Sequence, residues 1–195
     1  MKRIALIGAP GSGKTTLTTE LFTQFKILGK NVYLVPEYAR DHIDKYGPPT
    51  NVLEQYKLFL EQTERENLVP QNVEYAFHDT MRSLGYFYVY MYLEATEKRH
   101  LQVVQDMYKF LLEDIYLKRY DHIFYLPLEQ TINKNPNILN DGTRYQTKQE
   151  QNILDEHMNL VFNTMNKMNN IITINAKLEE RCKIITNILL DKGTK

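Results

Sequence analysis

The stretch Gly8-Ala9-Pro10-Gly11-Ser12-Gly13-Lys14-Thr15 fits G-x-x-x-x-G-K-[ST] at every fixed position, the pattern of a loop that wraps its backbone around phosphate groups. The residue types follow from that task. Gly8, Gly11 and Gly13 let the chain curl close to a polyphosphate, the Lys14 ammonium reaches the β- and γ-phosphates as a point charge, and the Thr15 hydroxyl is a ligand for Mg²⁺. The motif needs a buried strand before it and a helix after it. Lys2-Arg3-Ile4-Ala5-Leu6-Ile7 supplies the strand. Beyond Thr15, the residues Leu17, Leu21, Phe22, Phe25 and Leu28 recur at helical spacing, and Gly29 stands where a left-handed helix cap falls. Such a helix aims its free N–H groups and the positive end of its dipole at the loop. The expected nucleoside triphosphate site is therefore Gly8, Ala9, Pro10, Gly11, Ser12, Gly13, Lys14, Thr15 and Thr16. A glycine-rich turn that binds nothing is the bland alternative, and the flanking strand and helix argue against it.

The 195 residues suit a single domain over 1–195 with a sizeable core. With 24 basic and 24 acidic residues, no global field attracts nucleic acid or a membrane surface, although a local basic groove stays open. Cys182 is the only cysteine, which excludes an intrachain disulfide and a cysteine-rich metal site. Beside Ile184 and Ile185 it reads as a reduced core residue. The chain enters its first strand without a signal peptide, and no apolar run approaches the roughly 18 residues of a membrane span. The expectation is a soluble cytoplasmic protein.

Strands are expected near 2–7, 31–35, 73–78, 121–126 and 171–175, with helices near 52–66, 98–118, 147–168 and 178–191. Asn51 followed by Glu54 is a loose capping box for the helix at 52. This alternation predicts an α/β fold of the P-loop NTPase kind, a five-stranded parallel sheet covered by helices on both faces, with a lid segment. Ligands of such sheets sit beyond the carboxyl ends of the strands.

Two strand ends carry acids. Strand two runs into Val35-Pro36-Glu37-Tyr38-Ala39-Arg40. Glu37 is the candidate general base, an acceptor that orients an attacking hydroxyl and takes its proton; a solvated loop acid or a helix-capping partner is the alternative. Tyr38 and Arg40 are candidate substrate contacts, with Arg40 equally able to pair with Asp41 or Asp44. Strand three runs into Phe77-His78-Asp79-Thr80, where Asp79 faces the Mg²⁺ shell together with Thr15 or else caps the next helix. Which of Glu37 and Asp79 is base and which serves the metal stays open at this point. His78 alternates with Asp79 and reads as a core histidine, and Arg82 is a candidate phosphate contact.

Gly85-Tyr86-Phe87-Tyr88-Val89-Tyr90-Met91-Tyr92 reads as a helix whose tyrosines pack in the core or on an oligomer surface, with one or two lining a substrate pocket. After strand four, a polar stretch over 127–147 ends in Asn140-Asp141-Gly142-Thr143-Arg144-Tyr145. A polar loop of this length suits a lid that brings Arg144 against the developing charge of a phosphoryl transfer, and a plain mobile loop is the alternative.

Taken in order, the phosphate loop, Pro36-Glu37-Tyr38-Ala39-Arg40, Asp79-Thr80 and Asp141-Gly142-Thr143-Arg144-Tyr145 resemble the nicotinamide riboside kinase-like ATPase family, the kinase domain of bifunctional NAD-biosynthesis regulators, also described as a small AAA-type ATPase domain. The resemblance covers nearly the whole chain. It implies ATP- and Mg²⁺-dependent phosphorylation of a ribosyl 5′-hydroxyl, acids after strands two and three that handle acceptor and metal, and catalytic roles for Lys14, Glu37, Asp79 and Arg144. The favoured acceptor is then nicotinamide riboside. A deoxynucleoside or deoxynucleoside monophosphate kinase, a polynucleotide or modified-base DNA kinase, and a nucleotide-dependent ATPase switch are the competing readings. The stretch from Thr131 to Leu139 is long for the family, and the tyrosine-rich helix is unusual in it.

Overall fold

The computed structural model describes residues 1–89, 91, 97–128, 145–165 and 170–190. β1 (Lys2–Ile7) leads through the glycine loop into α1 (Lys14–Ile27), and β2 (Val32–Val35) is followed by α2 (Tyr38–Tyr46) and α3 (Val52–Asn67). Next come β3 (Tyr75–His78), a 3₁₀ turn at Arg82–Leu84, α4 (Gly85–Val89), a second turn at Lys98–His100 and α5 (Leu101–Tyr116). β4 (His122–Tyr125), α6 (Lys148–Met165), β5 (Ile171–Thr173) and α7 (Leu178–Leu190) complete the described elements.

All four strand pairings are parallel, in the order β2-β3-β1-β4-β5. The central strand β1 shows why helices cover both faces. Ile4 and Leu6 pack with Leu17, Leu21 and Phe25 of α1 and with Cys182, Ile185 and Leu189 of α7. Ala5 and Ile7 point the other way, into a cluster with Phe87, Leu111, Ile115 and Phe162. The period-two alternation of a strand thus feeds two apolar layers at once.

The helix ends follow the expected chemistry. Gly29 takes φ +73° after α1, and its N–H donates to the Lys26 carbonyl at 3.0 Å. Asn51 Oδ1 accepts from the Glu54 N–H at 3.1 Å, while Glu54 reaches back to the Thr50 N–H at 2.7 Å, one residue beyond the usual capping-box partner. Leu28, the last of the helically spaced apolar residues after Thr15, is exposed, because it caps the end of α1. α2 is a helix the apolar pattern does not announce, since none of its residues is buried. Cys182 is buried and unbridged, and burial pushes its thiol up to about 11.

Candidate active site

The loop is held from behind as well as by its glycines. Gly11 and Gly13 take φ +91° and +87°, the left-handed region open to glycine. A Cβ on Gly8 would lie 2.6 Å from the Leu126 carbonyl oxygen, so the loop passes hard against the end of β4. Lys14 Nζ donates to the Gly8 and Ala9 carbonyls at 2.8 and 3.4 Å. The fully buried Arg181 of α7 donates to the carbonyls of Ser12 (2.7 Å), Ala176 (2.9 Å) and Pro127 (3.3 Å), stitching α7 to the loop and to the exit of β4.

The two acids sit at adjacent strand ends. Asp79, 5% exposed, donates its backbone N–H to the Val35 carbonyl at 2.9 Å. The Thr18 hydroxyl lies 3.5 Å from its carboxylate Oδ1. Burial pushes this carboxyl up to about 6; the charge of Glu37 adds to the rise, and the Thr15 hydroxyl, Lys14 and Arg40 oppose it. Glu37 occupies the N-cap position of α2 but its side chain makes no capping bond, so the carboxylate is not consumed there. His78 is fully buried against the Tyr120 ring, 3.7 Å from Glu66, in the core as expected.

A cavity of about 300 Å³ runs from the loop past Glu37 to the helices beyond. Lys14, Thr15, Thr16 and Glu37 line its phosphate end, while Gln55, Phe59, Leu84 and Tyr88 line the far end. Arg40 and Arg82 both line it. Arg40 is exposed, and its neighbour Asp41 is taken by Arg65 at 2.7 Å. The Arg82 guanidinium is committed to the buried Asp114, with both Nε and Nη2 at 2.7 Å from Oδ1, and lies over the rings of Phe59 and Phe110. Tyr38 is not among the described lining residues; its ring lies beneath the Arg65 guanidinium at 5.0 Å. Arg144 and most of the 127–147 segment lie outside the described residues, as do Tyr90 and Tyr92. Tyr145 and Gln146, which follow Arg144, line the cavity.

Three residues at the site escape the sequence reading: Gln55, Gln62 and Arg181. Gln55 and Gln62, each 4% exposed, stand two turns apart on the inward stripe of α3 with Phe59 between them. Polar residues in phase with Val52, Phe59 and Glu66 were the available signal, because a side chain at such a position is carried inward whatever its polarity.

A family model described as an AAA domain matches residues 3–181. The chain belongs to this AAA-domain family. No curated protein sequence matches this AAA domain. Among solved structures it is similar to deoxyadenosine kinase from M. mycoides with bound dATP, at 16% identity and a TM-score of 0.64, over 97% of this chain and 99% of that one. It is also similar to the NadR protein in complex with NAD and AMP-PNP, at 17% identity and a TM-score of 0.68, over 100% of this chain and 50% of that one. The AAA domain therefore spans half the NadR chain. These likenesses give it the fold of the P-loop kinases.

Proposed function

We propose that this AAA domain is an ATP- and Mg²⁺-dependent kinase that phosphorylates a nucleoside-type hydroxyl, with nicotinamide riboside as the favoured acceptor. The observation that carries the reading is the continuity of the cavity. A nucleotide switch needs a phosphate loop alone, whereas here the loop opens past Glu37 into a compartment walled by Phe59, Leu84 and Tyr88. That compartment offers rings for stacking and one buried carboxamide, Gln55, that forms no hydrogen bond among the described residues.

Lys14 draws the triphosphate into the loop, and Glu37, half-buried at the mouth, orients the acceptor hydroxyl and takes its proton. Asp79 is the better metal-shell acid, since it is buried at the end of β3 beside the start of α1, where the Thr15 hydroxyl acts on its carboxylate and Thr18 lies 3.5 Å away. A buried carboxylate held beside a threonine hydroxyl suits Mg²⁺, which binds through one or two carboxylates plus phosphates. When bound there, Mg²⁺ supplies neutralisation of phosphate charge.

Charge supports nicotinamide riboside, whose ring is a pyridinium cation. The lining includes the carboxylates of Glu37 and Asp44, and the Arg82 charge is already met by Asp114. An acceptor bearing a phosphate would have Arg40 alone among the described lining residues beyond Lys14 as an uncommitted cation. A deoxynucleoside kinase is the second reading, favoured by the end-to-end likeness to deoxyadenosine kinase.

The test is incubation of the chain with Mg²⁺, ATP and nicotinamide riboside, nucleosides, deoxynucleosides, their monophosphates or a 5′-hydroxyl oligonucleotide, with products read by mass. Nicotinamide mononucleotide is the expected product. A deoxynucleotide would move the assignment to the second reading, and a phosphorylated oligonucleotide to a polynucleotide kinase. ATP binding with no acceptor modified would mark a switch.

A further inference from the structure

Gln62 touches the chain on both sides of Glu37. Its Oε1 accepts from the Tyr38 N–H at 2.7 Å, and its Nε2 donates to the Pro36 carbonyl at 3.5 Å. One carboxamide, 4% exposed and carried by a different helix, thus brackets the backbone of a single residue. We propose that Gln62 is a positioning residue that holds Glu37 at the reacting end of the cavity. This rests on the kinase reading, in which Glu37 is the base.

The reasoning starts from what α2 lacks. The first N–H groups of any helix have no partner within it, and a Ser, Thr, Asp or Asn side chain at the N-cap ordinarily meets one of them. The N-cap of α2 is Glu37, whose side chain makes no such bond. Gln62, reaching over from α3, meets the first of these groups, the Tyr38 amide, and the Glu37 carboxylate makes no capping bond. It is then free to face Asp79, on which its charge acts.

α2 has little else to hold it. It buries no residue of its own, and its further ties to α3 include the Arg65–Asp41 ion pair and the Arg65 guanidinium over the Tyr38 ring. Both ties lie at or beyond Tyr38, downstream of the acid. Gln62 is the contact that spans it. Loss of that contact lets the Pro36–Tyr38 turn shift without unfolding the sheet, and a shift of about 1 Å at a reacting group costs on the order of 10²-fold in rate.

The experiment uses Gln62→Met, which keeps length and burial but offers no strong acceptor, and Gln62→Glu, which keeps an acceptor for the Tyr38 N–H. Each is made in the parent chain and in Glu37→Gln. Gln62→Met is expected to lower kcat by about 10- to 100-fold with the Kd for ATP unchanged. Gln62→Glu is expected to recover part of that loss. In the Glu37→Gln background, Gln62→Met is expected to add no further loss, because a residue that acts through Glu37 has nothing left to act on.

Equal losses in both backgrounds, or no loss in either, would overturn the proposal. Hydrogen exchange at the Tyr38 amide gives a readout apart from turnover, and Gln62→Met is expected to abolish its protection. If the parent chain phosphorylates no acceptor, the kinase reading fails. In that case unchanged Tyr38 exchange in Gln62→Met overturns the bracket as well, whereas lost protection sustains it.

Discussion

The Asp79 N–H donates to the Val35 carbonyl at 2.9 Å, and this one bond brings the ends of β2 and β3 level. Glu37 follows Val35 by two residues, so the register of two parallel strands sets two carboxylates at adjacent strand ends. Two such groups resist being ionised together, and the strain falls on the more buried of the pair. Asp79 carries it, pushed up to about 6 by burial and then by Glu37.

That burden gives a prediction in which stability and activity move in opposite directions. A carboxyl raised in the folded state keeps a proton that the unfolded chain has already released. Its contribution to stability therefore falls as pH rises from about 4 to about 6 and stays low above that. Asp79→Asn removes the burden, so at pH 8 it should be more stable than the parent by an amount on the order of 2–3 kcal/mol, read as a higher melting temperature, and the gap should close towards pH 4. Phosphoryl transfer by the same variant should drop by about 10²-fold or more. Thermal melts at three pH values with one activity assay check both halves.

Lys14→Ala separates binding from folding. The ammonium contributes two bonds to loop carbonyls, worth about 1 kcal/mol each, so the fold should survive with a small fall in melting temperature. Turnover should fall by at least about 10²-fold, because the charge on the β- and γ-phosphates is lost. Circular dichroism beside a steady-state assay reads both, and retained turnover would remove the loop from the chemistry.

Glycines at the loop and at the end of α1 distinguish crowding from backbone strain. Gly8 has no positive φ, but an added Cβ meets the Leu126 carbonyl oxygen at 2.6 Å and Ser12 Oγ at 2.5 Å. Gly29 has φ +73° with nothing within 4 Å of its Cβ position. Gly8→Ala should cost about 1–3 kcal/mol and weaken ATP binding, since backbone must move. Gly29→Ala should cost about 1–2 kcal/mol and leave ATP affinity intact. Denaturant melts and titration calorimetry with ATP analogues test the contrast.

Much of this layout was written in the order of residues. Five apolar runs bounded by turn signals became the five strands, since a strand buried on both faces has to be apolar almost throughout. The loop, Glu37 and Asp79 were findable because the carboxyl ends of such strands are where ligands sit. The support behind them was not. α2 carries no apolar stripe, so periodicity has nothing to report, and its place depends on Gln62 and Arg65 from another helix. Gln55 and Gln62 look like surface glutamines until the phase of α3 is taken with Val52 and Phe59. Asp114 and Arg82 meet across 32 residues, a pairing that no local pattern encodes.

Arg181 is the furthest of these from a sequence signal, preceded by two glutamates and followed by Cys182 near the end of the chain. Charged residues are rarely buried unless their donors are met. Burial pulls its pKa down, yet the side chain reaches three carbonyls, one of them Ser12 in the phosphate loop and one Pro127 at the exit of β4. Arg181→Met would fill the space but leave those carbonyls without their donor, at a cost on the order of 3 kcal/mol or more. Ser12 lies between Gly11 and Gly13, whose left-handed geometry gives the loop its curl, so the variant should also loosen the backbone that grips phosphate. The expected result is a lowered melting temperature with ATP affinity reduced by about tenfold, and a partial rescue of stability by saturating nucleotide, since a ligand that binds only the folded chain restores what it can. Arg181→Lys, which keeps the charge but has one point of donation, should fall between the two. Melts with and without nucleotide, beside calorimetry, decide it: a stability loss with unchanged affinity would confine Arg181 to the packing of α7.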